Sequence, residues 1–128
     1  MTNIEIALAL YAAVGRRDLA AAGALLDPEV VLHDPGAHGH GGDHRGRAAV
    51  LDLLGSTTGV VRTEVLDVLG GREHAAVYCR VRGDAGSGGA ASLDNHTVHL
   101  LRIRDGRIVE AWFHNRDQPH VDAFWAAA

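Results

Sequence analysis

Four histidines lie close together in one stretch of the sequence: His33, His38, His40 and His44. Imidazole is the side chain that most often binds transition metals, so the cluster raises the question of a metal centre. A His-x-His pair on a glycine-rich loop, with no cysteine and no helical His-x-x-x-His pair, is a weak zinc signature. We therefore expect no metal here, and we interpret residues 36–46 as a flexible loop that covers a binding site.

Composition bounds the other kinds of chemistry. The chain has 128 residues, 47% hydrophobic and 22% charged, which is the make-up of one globular domain over 1–128. Its single cysteine, Cys79, excludes a disulfide framework and alternates with Val77 and Val81 as a small core residue. No Gly-x-Gly-x-x-Gly motif opens a helix and no Gly-x-x-x-x-Gly-Lys loop occurs, so we expect no organic cofactor.

Charge and hydropathy also limit the partners. The net charge is −4 and no basic block is present, so we expect no nucleic acid. No run of 18 apolar residues and no basic N-terminal region occur, so we expect neither a membrane span nor a secretory signal. These features predict a cytoplasmic protein.

The first half of the chain reads as helices around one short strand. Helical spacing predicts a helix over 4–14 with Asn3 as N-cap, and Asp18 caps a second helix that runs through Leu26. Asp27-Pro28 closes that helix, since the residue before proline disfavours helical geometry. The remaining elements of this half are a strand over 30–34 and a helix over 47–54.

The second half reads as an antiparallel meander. Alternating, β-branched segments predict four strands, and Asp105-Gly106 predicts a two-residue hairpin before the last of them. The segment 83–92 predicts a hairpin connection, and Pro119 begins a short terminal helix. The expected strands are 60–69, 74–82, 95–104 and 107–116. This order indicates an α+β fold with helices packed on one face of a curved antiparallel sheet.

This order resembles the nuclear-transport-factor-2-like superfamily, most closely its SnoaL-like and ketosteroid-isomerase-like branch. Four motifs carry the resemblance, and the closing Asp117-Gln118…Asp122-Ala123-Phe124-Trp125 is similar to a SnoaL-like ending. The motifs are Tyr11-Ala12-Ala13-Val14…Asp18-Leu19, His33-Asp34-Pro35-Gly36, Gly42-Asp43-His44-Arg45-Gly46-Arg47 and Arg104-Asp105-Gly106-Arg107-Ile108-Val109-Glu110-Ala111-Trp112. The resemblance implies a cone-shaped α+β barrel in which the sheet wraps three N-terminal helices around an apolar pocket.

The resemblance places the proton-shuttling carboxylate of the ketosteroid isomerases at Asp34. A buried carboxylate suits this role because burial raises its pKa toward neutral pH. Val31 and Leu32 supply part of an apolar wall, and His33 lies beside it as a candidate substrate contact. The alternative is that Asp34 caps the Pro35-Gly36 turn through an Asx hydrogen bond.

The resemblance also places an oxyanion hole. The tyrosine position of the isomerases falls on Leu10, one residue before Tyr11, and one residue on a helix is about 100° of rotation. The second donor, a protonated aspartate in the isomerases, falls near His99, which can donate a hydrogen bond to a developing enolate. A strand histidine that is simply hydrogen-bonded is the alternative for His99.

Period 2 divides the last strand into two faces. By the isomerase pattern, one face is directed to the pocket, and Asp117 resembles the catalytic acid/base of SnoaL-like cyclases. The alternative for Asp117 is a cap of the terminal helix. The expected pocket face holds Val109, Ala111, Phe113, Asn115 and Asp117.

With these residues, the resemblance implies a SnoaL-like pocket enzyme that acts on a small apolar carbonyl compound, polyketide-like or steroid-like. Asp34 or Asp117 would move a proton next to a carbonyl, while His99 or Asn115 holds the oxygen. The alternative is a non-catalytic module that binds a small ligand in the same pocket. We also expect a homodimer, because an arginine-rich outer sheet face with Trp112 suits sheet-to-sheet pairing.

Overall fold

A computed structural model of the chain describes residues 1–84 and 92–127. Four helices and six strands make up these residues, and three of the helices lie in the first half of the chain. The helices are α1 (Asn3–Gly15), α2 (Leu19–Ala24), α3 (Arg47–Thr58) and α4 (Gln118–Ala127). The strands are β1 (Leu26–Asp34), β2 (Gly42–Arg45), β3 (Val61–Gly70), β4 (His74–Asp84), β5 (Ser92–Arg104) and β6 (Arg107–Asn115).

The strands form one sheet in the order β2-β1-β6-β5-β4-β3. Strands β3 to β6 are the expected antiparallel meander, and β1 joins it parallel to β6. Strands β2 and β3 are the two edges and do not pair, so the sheet is curved but open. The α+β fold is thus confirmed, whereas the expectation of a barrel is wrong.

The core lies between the inner face of this sheet and the helices. Residues from α1, α2 and α3 pack there against alternate residues of the strands. Strand β5 shows the alternation most regularly, because every second side chain from Leu93 to Ile103 is buried. A smaller apolar cluster of Leu93, Val121 and Phe124 packs α4 against the sheet.

Local capping fixes most element boundaries. Thr2, and not Asn3, caps α1: its hydroxyl accepts from Glu5 N–H while the Glu5 carboxylate accepts from Thr2 N–H, which is a capping box. Asp18 caps α2 as expected, by accepting from Ala21 N–H at 3.0 Å. Asp105 and Gly106 both have positive φ, 53° and 76°, as the predicted two-residue hairpin requires.

Several element boundaries differ from the sequence prediction, and one strand was not predicted. Helix α2 ends at Ala24, and Leu26 with Asp27-Pro28 begins β1 instead of closing the helix. Pro28 has no N–H to donate to a ladder, and the β1–β6 register shifts between Leu26 and Val31. Helix α3 continues to Thr58, and a short strand, β2, occupies part of the predicted loop 36–46. Most of the predicted connection 83–92 lies outside the described residues.

A bulge in β6 corrects the predicted face of that strand. Glu110 pairs with Arg102 but Ile108 pairs with Ile103, so Val109 has no opposite residue. An extra residue shifts the alternation by one, and Ile108 is therefore buried where Val109 was expected. Beyond the bulge the prediction holds, because Ala111, Phe113 and Asn115 lie on the inner face.

The turn after β1 depends on Gly36, which has φ +119°. A Cβ at Gly36 would overlap Asp122 Oδ1 and lie 2.5 Å from Gln118 Nε2. We expect Gly36→Ala to lower the free energy of unfolding by about 2 kcal/mol, since it adds this overlap to the strain of a positive φ. Chemical denaturation measures the change. Gly39→Ala, which has nothing within 4 Å of its Cβ position, is the control; equal losses in both variants would contradict the prediction.

Candidate active site

A cavity of about 640 Å³ lies between the helices and the inner face of the sheet. Its wall is mainly aliphatic and includes Leu10, Leu32 and Ala111. Its volume is in the range that holds a small organic molecule. The polar groups of the wall therefore decide what the cavity can do.

Asp34 is the carboxylate of this cavity. It is the last residue of β1, on the same face as Leu32, and its side chain is only 12% exposed. Burial raises the pKa of Asp34 to about 7; the nearby Asp122 adds to this rise and His44 opposes it. No side chain or backbone group in the described part of the chain donates a hydrogen bond to the carboxylate of Asp34. Near neutral pH this carboxyl group therefore exchanges between its acid and base forms.

Tyr11 and His99 form a hydrogen-bonded pair in the same cavity. Tyr11 Oη lies 2.5 Å from His99 Nδ1. Burial lowers the pKa of His99 to about 3 and raises that of Tyr11 well above its usual value, so both side chains are neutral. The neutral pair has two polar hydrogens and uses one between its members. In either tautomer one O–H or N–H remains to donate to a ligand oxygen.

Strand register aligns this pair with Asp34. His33 pairs with Trp112, so Asp34 is level with Phe113, which itself pairs with His99. The ring of Phe113 also stacks on His99, with centroids 3.9 Å apart. Adjacent strands are about 4.8 Å apart, so Asp34 and His99 face the cavity about 10 Å apart along one row of the sheet. A flat ligand over Phe113 can contact both.

Helix α1 contributes several residues to the wall. Both Leu10 and Tyr11 line the cavity, as Leu8 and Val14 also do. The one-residue offset from the isomerase tyrosine does not remove Tyr11, because a broad stripe of α1 faces the cavity. The contact with His99 fixes the position of the hydroxyl.

The sequence prediction missed a further polar group, Asn95, together with Thr97. Both are buried on the inner face of β5, beside His99. Asn95 Nδ2 donates to Asn115 Oδ1 at 3.1 Å, and Asn115 Nδ2 donates to Gln118 Oε1 at 2.9 Å. The signal was present, because Asn95, Thr97 and His99 occupy alternate positions between buried Leu93 and Leu101. Three successive polar residues on a core face are typical of a cavity wall.

Asp117 lies outside the cavity. Strand β6 ends at Asn115, so the alternation that placed Asp117 on the pocket face does not reach it. Its Oδ1 accepts from His120 N–H at 3.2 Å in the first turn of α4. Asp117 is exposed and acts as a helix cap, which was the alternative interpretation.

His33 also lies outside the cavity, on the outer face of the sheet. Its Nδ1 is 2.6 Å from Asp43 Oδ1, its Nε2 is 2.5 Å from Glu110 Oε2, and its ring stacks on Trp112. The hydrogen bonds to Glu110 and Asp43 raise the pKa of His33. Its role is therefore to connect β1, β2 and β6, and not to contact a ligand in the cavity.

The other histidines of the loop do not gather around a common point. His44 Nε2 donates to His40 O at 2.8 Å, and the His38 and His40 rings pack near Trp125. Within residues 1–84 and 92–127, no three His, Cys, Asp or Glu side chains are placed to hold one metal ion. Cys79 is buried, and burial raises the pKa of its thiol to about 12.

The fold and the cavity together define a class of protein. A curved open sheet, packed on helices around one apolar cavity, is the nuclear-transport-factor-2-like fold. None of the helices in the described part of the chain is long and apolar enough to cross a membrane.

The sequence identifies the family. Residues 7–111 match the SnoaL-like domain, and the chain belongs to this family. No curated protein sequence matches the chain.

Solved structures agree with this assignment. A protein of unknown function with a cystatin-like fold from Xanthomonas campestris is 34% identical, with a TM-score of 0.84 over 98% of both chains. Bal32a, from a soil-derived mobile gene cassette, is 26% identical, with a TM-score of 0.87 over 96% of this chain and 95% of that one. An NTF2-like protein from Burkholderia xenovorans is 21% identical and shares the fold, with a TM-score of 0.85 over 96% and 95% of the chains.

The raised pKa of Asp34 predicts a pH-dependent stability. The folded chain holds this proton up to about pH 7, whereas an ordinary aspartate releases it near 3.8. The unfolded state therefore binds fewer protons between these values, and stability falls as pH rises through the window. Asp34→Asn removes the cost of ionising a buried carboxyl group. We therefore expect this variant to be more stable than the wild type by a few kcal/mol at pH 8 and by little at pH 4.

Chemical denaturation at the two pH values measures this difference. Asp117→Asn is the matched control, since asparagine caps a helix as well as aspartate does. A stability difference for Asp34→Asn that is the same at pH 4 and pH 8 would show that Asp34 is not a desolvated carboxyl group.

Proposed function

We propose that this protein is an acid–base enzyme that isomerises or cyclises a small apolar carbonyl compound, polyketide-like or steroid-like. One observation carries the proposal: a carboxyl group with a pKa of about 7 stands in an apolar cavity, in line with a neutral hydrogen-bond donor pair. A general base works best when its pKa is near the working pH. Membership of the SnoaL-like family is consistent with this chemistry.

In the proposed mechanism, the ionised Asp34 removes a proton from the carbon next to the carbonyl. The electrons of the broken C–H bond move to the carbonyl oxygen and form an enolate. The O–H or N–H group that the Tyr11–His99 pair does not use internally donates a hydrogen bond to the enolate oxygen. In isomerisation, Asp34 then returns the proton to another carbon. In cyclisation, the enolate carbon instead attacks the carbon of a second carbonyl and closes a ring, and the oxygen of that carbonyl takes the proton back from Asp34. The aliphatic wall contributes by excluding water.

The same observation favours an enzyme over a module that only binds. A simple apolar ligand gains nothing from a desolvated carboxylate, which costs free energy to bury. The polar side chains on the inner face of β5 have hydrogen-bond partners on β6 and α1, whereas the carboxylate of Asp34 accepts no hydrogen bond from the described residues. An unsatisfied carboxylate at the cavity is consistent with a group that must bind and release a proton.

Hydrogen–deuterium exchange on simple ketones tests proton removal directly and does not require the natural substrate. We expect the wild type to speed the uptake of deuterium next to the carbonyl in a panel of apolar ketones such as 1-tetralone, followed by NMR in D2O. The rate should increase with pH and level off above about 7, as the Asp34 carboxylate forms. Asp34→Asn, which is nearly isosteric but cannot take the proton, should lower the rate by about 10²–10⁴-fold.

Asp117→Asn is measured alongside as the matched variant. We expect it to keep the wild-type rate because its side chain caps α4 at the surface. An unchanged rate in Asp34→Asn, on any ketone that the wild type exchanges, would refute Asp34 as the base. A loss confined to Asp117→Asn would transfer the role to that residue.

We further propose that two copies pair through the outer face of the sheet. Tyr78 is 40% exposed there and stacks on His96, and the His33–Trp112 stack lies on the same face. Light scattering should therefore give twice the chain mass of 13.5 kDa, and Tyr78→Glu should shift the protein toward one chain. A single-chain mass for the wild type at high micromolar concentration would contradict the pairing.

A further inference from the structure

His38 lies next to the candidate base Asp34 but outside the cavity. Its side chain is 1% exposed, and its Nε2 is the one buried side-chain nitrogen or oxygen among the described residues that has no hydrogen-bond partner. An unsatisfied buried donor costs about 1–3 kcal/mol. His38 does not line the cavity, so a role in binding the ligand directly does not explain this cost.

The loop backbone fixes which nitrogen of His38 carries the hydrogen. The backbone N–H of His40 donates to His38 Nδ1 at 3.1 Å. A backbone amide can only donate, so Nδ1 must keep its lone pair. Burial lowers the pKa of His38, and the ring is neutral near pH 7. The ring hydrogen therefore lies on Nε2, which makes that atom a donor.

Three oxygen acceptors lie near the His38 ring, and two of them already accept hydrogen bonds from other groups. The Pro35 carbonyl accepts from Gln118 Nε2 at 3.1 Å. Asp122 Oδ1, 3.9 Å from Nε2, accepts from Gln118 Nε2 at 2.9 Å and from Ala37 N–H at 3.3 Å. Asp34 Oδ1 is 3.8 Å from Nε2 and has no other donor among the described residues.

We propose that His38 is the positioning residue of Asp34, and that its Nε2–H donates to the Asp34 carboxylate when that group is ionised. This inference rests on the proposed role of Asp34 as the base. A movement of about 1 Å would bring the 3.8 Å separation to hydrogen-bonding distance. Ionisation of Asp34 favours this movement, because a charged acceptor makes a hydrogen bond shorter and stronger. The bond would hold one carboxylate oxygen and leave the other for the substrate.

Three titratable side chains lie around Asp34 and determine how a loss of His38 affects its pKa. His38 lies on the loop, His44 on β2 and Asp122 on α4. A neutral N–H donor favours the ionised carboxylate. Removal of this donor should therefore raise the pKa of Asp34, since the substitution leaves the His44 and Asp122 side chains in place.

Two substitutions of His38 and one of its neighbour test this. His38→Leu removes the donor, and we expect the Asp34 pKa from carbon-13 NMR of its carboxyl group to rise by about 1. The deuterium-exchange rate at pH 6 should fall about tenfold, and the midpoint of its pH profile should move up with the pKa. His38→Gln keeps an N–H donor. In this variant the Asp34 pKa should stay close to the wild-type value, and the exchange rate should be within about threefold of the wild-type rate. His40→Leu removes an imidazole from the same loop but leaves the His40 N–H in place, and it should behave like the wild type.

Nitrogen-15 spectra of wild-type imidazole groups test the tautomer without any substitution. The hydrogen of neutral His38 should be on Nε2; a hydrogen on Nδ1 would overturn the inference. An unchanged Asp34 pKa in folded His38→Leu would also overturn it, whatever the loss of stability. If that pKa rises but no ketone exchanges, the contact between His38 and Asp34 is supported while the proposed function fails.

Discussion

The desolvation of one carboxyl group is the constraint on which the candidate site depends. Asp34 ends β1 on the inner face of the sheet, where the surrounding wall is aliphatic and water is scarce. An aspartate in this position keeps its proton up to about pH 7. The loop, β2 and α4 bring His38, His44 and Asp122 close to this carboxyl group. His44 favours its ionised form, whereas burial and Asp122 favour the protonated form, and the balance sets the pKa of Asp34.

The other polar groups of the cavity wall differ from Asp34 because their side chains are hydrogen-bonded within the protein. Asn95 bonds to Asn115, Thr97 bonds to a backbone carbonyl, and Tyr11 bonds to His99, so each of these buried groups has a partner. Satisfied polar groups hold their side chains in one arrangement. The wall is therefore preorganised. The Asp34 carboxylate and His38 Nε2 have no such partner among the described residues, so they can form a new hydrogen bond.

Local signals in the sequence were enough for most of the fold. The Asp105-Gly106 hairpin and the strands of the meander depend on neighbouring residues, and they were predicted correctly. Two errors on the last strand occurred where period 2 was carried past a change in backbone geometry. The bulge at Val109 reversed the face of one residue, and the end of β6 at Asn115 left Asp117 outside the cavity.

The candidate site could be predicted only in part, because it joins residues that are distant in the sequence. Asp34 came from a family resemblance, but the hydrogen bond from α1 to β5 joins residues 88 apart, and no local pattern encodes it. The orphaned nitrogen of His38 depends on the path of an irregular loop, and a glycine-rich segment leaves that path undetermined. Asn95 and Thr97 were within reach, since alternating polar residues on a buried strand were visible in the sequence.

The parallel pairing of β1 with β6 has a consequence for the order in which the protein assembles. The strand that carries Asp34 bonds on one side to β2, which follows it closely, and on the other to β6, near the C-terminus. Contacts between distant parts of a chain form late, since closing a long loop costs entropy. During synthesis from the N-terminus, α1, α2 and β1 must wait for β6 before the cavity can close. A chain truncated before Ile108 therefore lacks the strand that pairs with β1, and the inner face of its helices is left without part of the sheet that covers it.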